Sequence, residues 1–199
     1  MNRARIAISL LILAACLPAL TAAASANVSV GDTVTTGAMI DSRTGQSVSL
    51  EQLAGPQGVV LVFVSTECPY SNAFNKVMAD LAREYKARGV TLVGINSNKT
   101  EPIDAVKRHA DDKGLDFAVI KDEGSALADQ LGATRTPEVF LLDKEMKLRY
   151  HGALGNSKTP TTKAEQATAD DLRPALDAVL SGGSVQFAET KAFGCTIKR

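Results

Sequence analysis

The apolar positions of this 199-residue chain fall into two kinds of pattern, one typical of buried strands and one typical of helices. The continuous apolar run Val59–Val64 predicts a central strand that is covered on both faces, and the mostly apolar segment Val90–Ile95 predicts a second buried strand. Between them, residues 69–88 carry apolar side chains at the spacing of one helix face, and Gly89 follows as a helix-ending glycine. This strand–helix–strand order predicts a sheet with parallel members.

Turn residues divide the rest of the chain into shorter elements. An N-terminal hairpin is predicted around the turn Asp41–Gly45, and a closing antiparallel hairpin around Asp143–Met146. Further helices are predicted over residues 101–113, 125–131 and 170–180, whereas residues 182–199 show no clear period. The pattern therefore predicts one α/β domain, with a central mixed sheet and helices on both faces.

The first 26 residues have the pattern of an export signal. Arg3 and Arg5 precede an apolar stretch, and small residues up to Ala26 form an Ala-x-Ala cleavage site. Two alternatives stay open: the stretch remains as an uncleaved anchor, or Cys16 closes a lipoprotein lipobox and carries a lipid. We expect a signal peptide over residues 1–26 and a single domain over 27–199. The domain would work in the bacterial periplasm or be secreted, and it would meet the membrane only through a lipid on Cys16.

Composition and charge narrow the functional classes. The chain has 22 Lys plus Arg against 22 Asp plus Glu, and its basic residues form no run longer than a pair. Because nucleic-acid binders carry a basic patch or stripe, we do not expect nucleic acid as a partner. His109 and His151 are not spaced as metal ligands, and the sequence has no Cys-x-x-Cys-His motif for covalent haem. We expect no metal and no cofactor.

Cys68 lies where the apolar run Val59–Val64 ends and a predicted helix begins. At a helix N-terminus the unpaired N–H groups stabilise a thiolate, and Pro69 suits the first helical position because it lacks an N–H. Ligands also bind at such strand ends in open α/β sheets. Glu67 acts in the opposite sense, since a neighbouring carboxylate disfavours a second negative charge. The position indicates a reactive thiol, and the alternative is a buried cysteine that only packs.

The segment Cys68–Ser71 after a strand, with Thr136 and Pro137 before a later strand, resembles the thioredoxin superfamily. The resemblance is closest to its redoxin branch, the alkyl hydroperoxide reductase and thiol-specific antioxidant proteins, and to a peroxiredoxin-like subgroup. It implies a thioredoxin-like fold and a cis bond before Pro137, which would turn the backbone of Thr136 toward the Cys68 sulfur. An extended partner chain would pair with that backbone while its disulfide is attacked.

Three positions depart from the patterns of this superfamily. Ser71 stands where thioredoxins and disulfide isomerases carry a second cysteine, so the local thiol that would release a mixed disulfide is missing. Ser65 matches the Ser/Thr three residues before the reactive cysteine of peroxiredoxins, but Leu61 replaces their proline. Pro137 stands where they carry an arginine. The donor for a peroxide oxygen would then be Arg135, and the alternative for Arg135 is a solvated loop side chain.

Cys195 is the second cysteine of the predicted domain and lies in its tail, 127 positions after Cys68. A sulfenic acid or mixed disulfide on Cys68 must be resolved by another thiol, and a cysteine on a mobile tail would reach back to do so. One alternative is a fixed disulfide between the two, which would stabilise the fold by ~4–5 kcal/mol on the chain-entropy model. The other is a free thiol. The sequence leaves all three open.

Two functions follow from these residues. The first is an exported thiol-based oxidoreductase or peroxidase that acts on protein thiols and disulfides or on hydroperoxides. Its catalytic residues would be Cys68, Cys195, Ser65 and Arg135. Its binding residues would be Thr136, Pro137, Pro69 and Ser71. The second function is a non-catalytic module that holds a partner on a thioredoxin-like scaffold.

Overall fold

The computed structural model describes residues 27–199, so the predicted signal peptide and the alternatives at Cys16 lie outside the described residues. The strands are β1 Met39–Asp41, β2 Ser47–Val48, β3 Gly58–Phe63, β4 Val90–Asn96, β5 Val119–Lys121, β6 Arg135–Thr136, β7 Glu138–Asp143, β8 Leu148–Gly152 and β9 Cys195–Thr196. The α-helices are α1 Leu50–Leu53, α2 Pro69–Ala73, α3 Asn75–Lys86, α4 Ile103–Asp112, α5 Ala126–Leu131 and α6 Leu172–Leu180. Between residues 27 and 199, no helix is long and apolar enough to cross a membrane.

Seven strands form the predicted central mixed sheet. Four of them lie in the order β2-β1-β5-β4 and three in the order β3-β7-β8. The two groups join where the N–H of Val64 donates to the carbonyl of Ile95 at 2.8 Å. Strands β4 and β5 run parallel, whereas β7 is antiparallel to both β3 and β8. Strands β1 and β2 form the predicted N-terminal hairpin.

The side chains of β3 alternate between two hydrophobic clusters, one on each face of the sheet. Val60 and Val62 belong to the cluster that α3, α4 and α6 cover. Leu61 and Phe63 belong to the other, to which α1 and α5 contribute leucines. Every residue of β3 is buried, and burying one side chain of this kind stabilises the fold by about 1.5–3 kcal/mol. This confirms the prediction of a central strand with helices on both faces.

The single helix predicted over residues 69–88 is divided into α2 and α3. At Phe74, with φ −92° and ψ 0°, the N–H bonds to the carbonyl of Ser71, three residues back, at 3.1 Å. This tighter turn ends α2, and the fully buried Phe74 ring packs in the core cluster of α3. The prediction was wrong here because the apolar spacing continues through the break.

The tail after α6 packs against the domain. Strand β9 pairs antiparallel with β6, so that Cys195 lies opposite Thr136 and Thr196 opposite Arg135. Ile197 follows with only 3% of its surface exposed. The tail therefore reaches the junction between β3 and α2, where the sequence places the candidate thiol.

Candidate thiol active site

Cys68 is the N-cap residue of α2, five residues after the end of β3. It has extended backbone angles, φ −79° and ψ 117°, and its sulfur accepts a hydrogen bond from the N–H of Ser71 at 3.4 Å. Pro69 occupies the first helical position, where no N–H needs a partner. Only 2% of the Cys68 surface is exposed. The local sequence thus holds the sulfur against the first turn of the helix.

The loop before β7 places the backbone of Thr136 at the Cys68 sulfur. The bond between Thr136 and Pro137 is cis, as the resemblance implied. The Cys68 thiol donates to the carbonyl oxygen of Thr136, with 3.1 Å between sulfur and oxygen. The Thr136 hydroxyl is buried and has no hydrogen-bond partner among the residues that the structure describes, so it is available to donate to a thiolate on Cys68.

Strand β9 brings the Cys195 thiol beside the Cys68 thiol, and both cysteines are free. Burial raises the pKa of Cys68, but hydrogen-bond donors around the sulfur outweigh it and lower the pKa below its ordinary value. These donors are the thiol and N–H of Cys195, the Thr136 hydroxyl and the N–H of Ser71. The pKa of Cys195 is raised to about 11, first by burial and then by its hydrogen bond to Cys68 and the charge there. Of the two thiols, Cys68 therefore ionises first.

A buried carboxylate supports the loop that carries Cys68. The Ser65 hydroxyl donates to Glu101 at 2.5 Å and accepts hydrogen bonds from the N–H groups of Cys68, at 3.1 Å, and Glu67, at 3.2 Å. Burial raises the pKa of Glu101, but hydrogen bonds, above all from Ser65 and Thr66, lower it below its ordinary value. An ionised Glu101 fixes the direction of the Ser65 proton, and this directs the oxygen lone pairs toward the Cys68 loop.

The same network continues from Glu101 to the tail. The Asn96 side chain donates to Glu101 at 2.7 Å and accepts from the ammonium group of Lys121 at 3.1 Å. Lys121 also donates to the carbonyl of Asn98 at 2.7 Å, and the Asn98 side chain accepts the N–H of Lys198 at 2.8 Å. These residues were missed by the sequence interpretation. A signal was present, since Asn96 and Lys121 are polar residues at the ends of apolar strand runs.

The other predicted site residues divide into those near the sulfur and one that is directed elsewhere. The Ser71 hydroxyl, fully buried, accepts the N–H of Ser65 at 3.2 Å and so joins the two sides of the loop. The exposed Arg135 instead donates from its guanidinium to the hydroxyl of Thr196 at 2.8 Å. Within the described residues, Arg135 makes no hydrogen bond to Cys68. The structure thus brings Cys68, Cys195, Ser65, Ser71, Thr136, Pro137 and Pro69 together.

The two histidines lie outside this group. His151 bonds to Glu138 at 2.7 Å, and the second oxygen of Glu138 accepts the N–H groups of Thr134 and Arg135. Glu138 therefore holds the chain just before Thr136, a role the sequence interpretation did not assign. In the part of the chain that the structure describes, no group of three or more His, Cys, Asp or Glu residues could hold a metal.

Comparison with known proteins gives this site a family. The model of the AhpC/TSA family matches residues 30–151. The thiol-disulfide oxidoreductase ResA of Halalkalibacterium halodurans is 33% identical over 106 residues, which are 53% of this chain and 58% of that protein. ResA of Bacillus anthracis is 32% identical over 104 residues, 52% of this chain and 58% of that protein. The chain thus spans less than two thirds of the length of these curated relatives.

Solved structures share the fold over most of the chain. An uncharacterized conserved protein from Geobacillus kaustophilus superposes with a TM-score of 0.79 and 28% identity, covering 86% of this chain and 92% of its own. A hypothetical protein from Sinorhizobium meliloti 1021 gives 0.78 and 29%, covering 87% and 96%. Peroxidoxin BcpB from Mycobacterium tuberculosis, at 0.60 and 23%, covers 78% and 98% and shows the fold alone. Because the family model spans more than half of the chain and includes both Cys68 and the Thr136–Pro137 loop, the chain belongs to the AhpC/TSA family, in the redoxin branch of the thioredoxin superfamily.

Proposed function

We propose that this chain is a thiol–disulfide oxidoreductase whose reacting pair is Cys68 and Cys195. The observation that carries the proposal is the place of the Cys195 thiol, which β9 holds beside Cys68 at the Thr136 backbone. A neighbouring thiol compensates for Ser71, which stands where thioredoxins have their second cysteine. The names of the ResA relatives support the same class of reaction.

Cys68 is the attacking sulfur in the proposed cycle. Its thiolate attacks one sulfur of a partner disulfide, the partner's S–S bond breaks, and the other partner sulfur leaves as a thiolate and takes up a proton. Cys195 then loses its proton and attacks the Cys68 sulfur, which releases the second partner sulfur and forms a bond between Cys68 and Cys195. The partner gains two electrons and two protons, and an external dithiol returns them to the enzyme.

The acidities of the two thiols order these steps. While Cys68 is an anion, its charge and hydrogen bond add to burial in raising the pKa of Cys195 to about 11. Once Cys68 forms a mixed disulfide, its charge is gone, and only burial continues to raise the pKa of Cys195. The pKa of Cys195 then falls, so the second thiol becomes a nucleophile when there is an intermediate to resolve.

The geometry favours a disulfide over a hydroperoxide as the oxidant. Breaking an O–O bond needs a donor for the departing oxygen, and the candidate donor, Arg135, is bonded to Thr196. A non-catalytic module remains the competing function, and it requires Cys68 to be unreactive. Both alternatives make predictions about the reaction of Cys68 that differ from ours.

The test uses an aromatic disulfide, 5,5′-dithiobis(2-nitrobenzoate), with a full chain in which Cys16→Ser leaves Cys68 and Cys195 as the two thiols, and with two further variants of that chain. We expect the reduced chain to release two nitrothiobenzoate ions and end with a bond between Cys68 and Cys195. Cys195→Ser should release one ion and keep the aryl group on Cys68, while Cys68→Ser should react far more slowly. Equal rates for Cys68→Ser and the unchanged chain would refute the proposal. Oxidation of Cys68 by hydrogen peroxide at the rate of an ordinary thiol would count against a peroxidase.

We further propose export of the domain formed by residues 27–199. The support is the sequence of residues 1–26, in which Arg3 and Arg5 precede an apolar stretch and an Ala-x-Ala site. Mass spectrometry of the protein isolated from its host should find Asn27 at the N-terminus, in the periplasm or the medium. A lipid on Cys16 would identify a lipoprotein instead, and a chain that keeps residues 1–26 in the cytoplasm would contradict export.

A further inference from the structure

The strand edge at Thr136 is occupied by β9, a strand from the tail of the same chain. We propose that this edge binds an extended partner segment with an aromatic residue two positions before its reacting cysteine, and that the tail Phe193–Arg199 covers the edge until such a segment displaces it. The inference rests on the proposed function, since it names the substrate class of the same site.

An aromatic contact fixes the position two residues before Cys195. The Phe193 ring meets Tyr70 edge-to-face, with 5.7 Å between ring centroids and 74° between planes, and meets Phe74 at 6.1 Å and 57°. Tyr70 lies in α2 and Phe74 ends it, so the two rings directly follow Cys68 in the chain. We call Tyr70 and Phe74 the aromatic site. The short helix α2 fixes the distance between these two rings and the Cys68 sulfur. An aromatic side chain that packs on the rings therefore has to lie at a fixed number of residues from the reacting cysteine.

The residue between the aromatic ring and the cysteine has almost no room. Gly194 has φ +128°, and a Cβ at this position would overlap the carbonyl oxygen of Thr136. The backbone of Gly194 therefore packs directly against the carbonyl group of Thr136 and leaves no room for a side chain. In this alignment Cys195 lies opposite Thr136. A partner segment in the same alignment would carry an aromatic residue, a glycine and the cysteine.

Residues after Cys195 indicate the charge that the edge accepts. Ile197 is buried and donates its N–H to the carbonyl of Thr134 at 3.0 Å. Beyond it, Lys198 forms an ion pair with Glu67 at 2.9 Å, and Arg199 forms one with Asp129. The exposed carboxylates beside the site thus favour an apolar and then a basic residue after the cysteine of a partner segment.

Hydrogen bonds hold the tail before and after Lys191 and Ala192, but these two residues make none within the described residues. Upstream, Thr190 is held by the carbonyl of His151 at 3.0 Å, and its hydroxyl accepts the N–H of Ala153 at 3.0 Å. Rotation about Lys191 and Ala192 would lift Phe193–Arg199 from the edge while Thr190 stays in place.

The experiment compares two peptides on full chains in which Cys195→Ser removes the internal nucleophile and Cys16→Ser leaves Cys68 as the one thiol. One peptide is Lys-Ala-Phe-Gly-Cys-Thr-Ile-Lys-Arg with its cysteine bonded to nitrothiobenzoate, and the other has alanine in place of phenylalanine. The Cys68 thiolate would bond to the peptide sulfur and expel nitrothiobenzoate, whose release is measured by absorbance. Gly194→Ala, added to Cys195→Ser, should displace the tail, and Gly183→Ala is the matched control because a Cβ there makes only ordinary contacts.

We expect the phenylalanine peptide to react roughly tenfold faster than the alanine peptide with the Gly194→Ala chain. We also expect it to react faster with Gly194→Ala than with Gly183→Ala. Should Gly194→Ala fail to fold, as judged by circular dichroism, Phe193→Ala frees the edge by removing the ring alone and should show the same acceleration. Tyr70→Ala should remove the preference for the phenylalanine peptide.

Equal rates for the two peptides would refute the aromatic site, and equal rates for the two glycine variants would refute the covering role of the tail. The aromatic disulfide without a peptide separates these results from a failure of the proposed function. If it labels Cys68 while the peptides do not differ, only the inference about the partner fails. If Cys68 resists the aromatic disulfide in every variant, the proposed function fails with it.

Discussion

Cys68 and Cys195 are neighbours, yet their surroundings move their acidities in opposite directions. Burial disfavours both thiolates, but Cys68 has donors on several sides, including the N–H of Ser71 at 3.4 Å. For Cys195, burial, the hydrogen bond to Cys68 and the charge on that sulfur all act in the same direction and raise its pKa to about 11. A pair of this kind carries one negative charge at a time. In the proposed cycle, Cys68 is therefore the nucleophile and Cys195 its hydrogen-bond donor.

Among the hydrogen bonds that lower the pKa of Cys68, the one from the Cys195 thiol has the largest effect. Removing this thiol should therefore raise the pKa of Cys68. Cys195→Ala should move the pH midpoint of Cys68 alkylation upward, because the thiolate loses that hydrogen bond. The midpoint is measured from the iodoacetamide rate across pH, with the Cys68 peptide followed by mass spectrometry. Cys195→Ser keeps a donor at the same place and should shift the midpoint less. Coinciding midpoints for the unchanged chain and Cys195→Ala would contradict this.

Glu101 should contribute to stability only while it is ionised. Its oxygens accept three hydrogen bonds, and the amide nitrogen of glutamine would face donors instead. Glu101→Gln should therefore lower the free energy of unfolding in urea by about 1–3 kcal/mol at neutral pH. Since the folded pKa lies below the unfolded one, the contribution is complete above the unfolded pKa and is lost as pH falls through the folded pKa.

The exposed Glu165→Gln is the control for this substitution, and it should change the stability by less than about 0.5 kcal/mol. The difference between the unchanged chain and Glu101→Gln should shrink as the solution is acidified. If the two variants are equally stable at neutral pH, the carboxylate does not support the Cys68 loop.

At the scale of elements, the hydrophobic pattern predicted the strands that depend on their own residues, but not the elements that depend on contacts with distant residues. Strands β3 and β4 are mostly apolar segments, and each was predicted within one residue at both ends. The division between α2 and α3 was not predicted, because the helical spacing persists across Phe74. Strand β9 was not predicted because it is two residues long and exists through pairing with β6, 59 positions earlier.

In the site, too, the features that depend on neighbouring residues were predicted, and those that depend on residues far apart in the sequence were not. The position of Cys68 followed from a strand that ends before a helix, and the cis bond before Pro137 followed from the family resemblance. The Glu101 network was missed because its members come from separate elements, and only the fold brings Asn96 and Lys121 to the same carboxylate. A polar residue at the end of an apolar strand run is the local sign of such a network.

Strand β9 should open separately from the sheet, and Ile197 should control that opening. Ile197→Ala removes the apolar burial that holds the strand, an effect of about 2–5 kcal/mol for a core position. Hydrogen exchange should accelerate at the N–H groups of residues 197 and 198, which bond to Thr134 and Asn98, and change much less in β3. Thr196→Ala, which removes only an exposed hydrogen bond to Arg135, is the control. Equal acceleration in β3 would show that the tail and the sheet unfold as one unit.

At the scale of the whole molecule, the two cysteines come from parts of the chain that are far apart in sequence. A bond between Cys68 and Cys195 would close a loop of 127 positions, from the junction of β3 with α2 to the tail. On the chain-entropy model, this restricts the unfolded chain and stabilises the folded one by ~4–5 kcal/mol. Formation of this bond would therefore link the redox state of the domain to its stability.

The oxidised chain should unfold at a higher urea concentration than the reduced chain. The measurement is a pair of urea titrations, without and with a dithiol reductant. Cys195→Ser cannot form the bond, so its two titrations should coincide. Equal stability of the oxidised and reduced forms of the unchanged chain would mean that the bond strains the fold as much as it restricts the unfolded state.

The pairing of β9 with β6 also has a consequence for the order of folding. The pairing of a two-residue strand contributes little free energy against the entropy cost of ordering the chain between α6 and Cys195. It also requires that β6 is already in position. During refolding from denaturant, Cys68 would therefore pass through an interval in which the sheet exists and the sulfur is open to small molecules. An oxidant or alkylating reagent added in that interval would capture the protein as a one-sulfur adduct, and preparations of active material should keep thiols reduced until the final residues have docked.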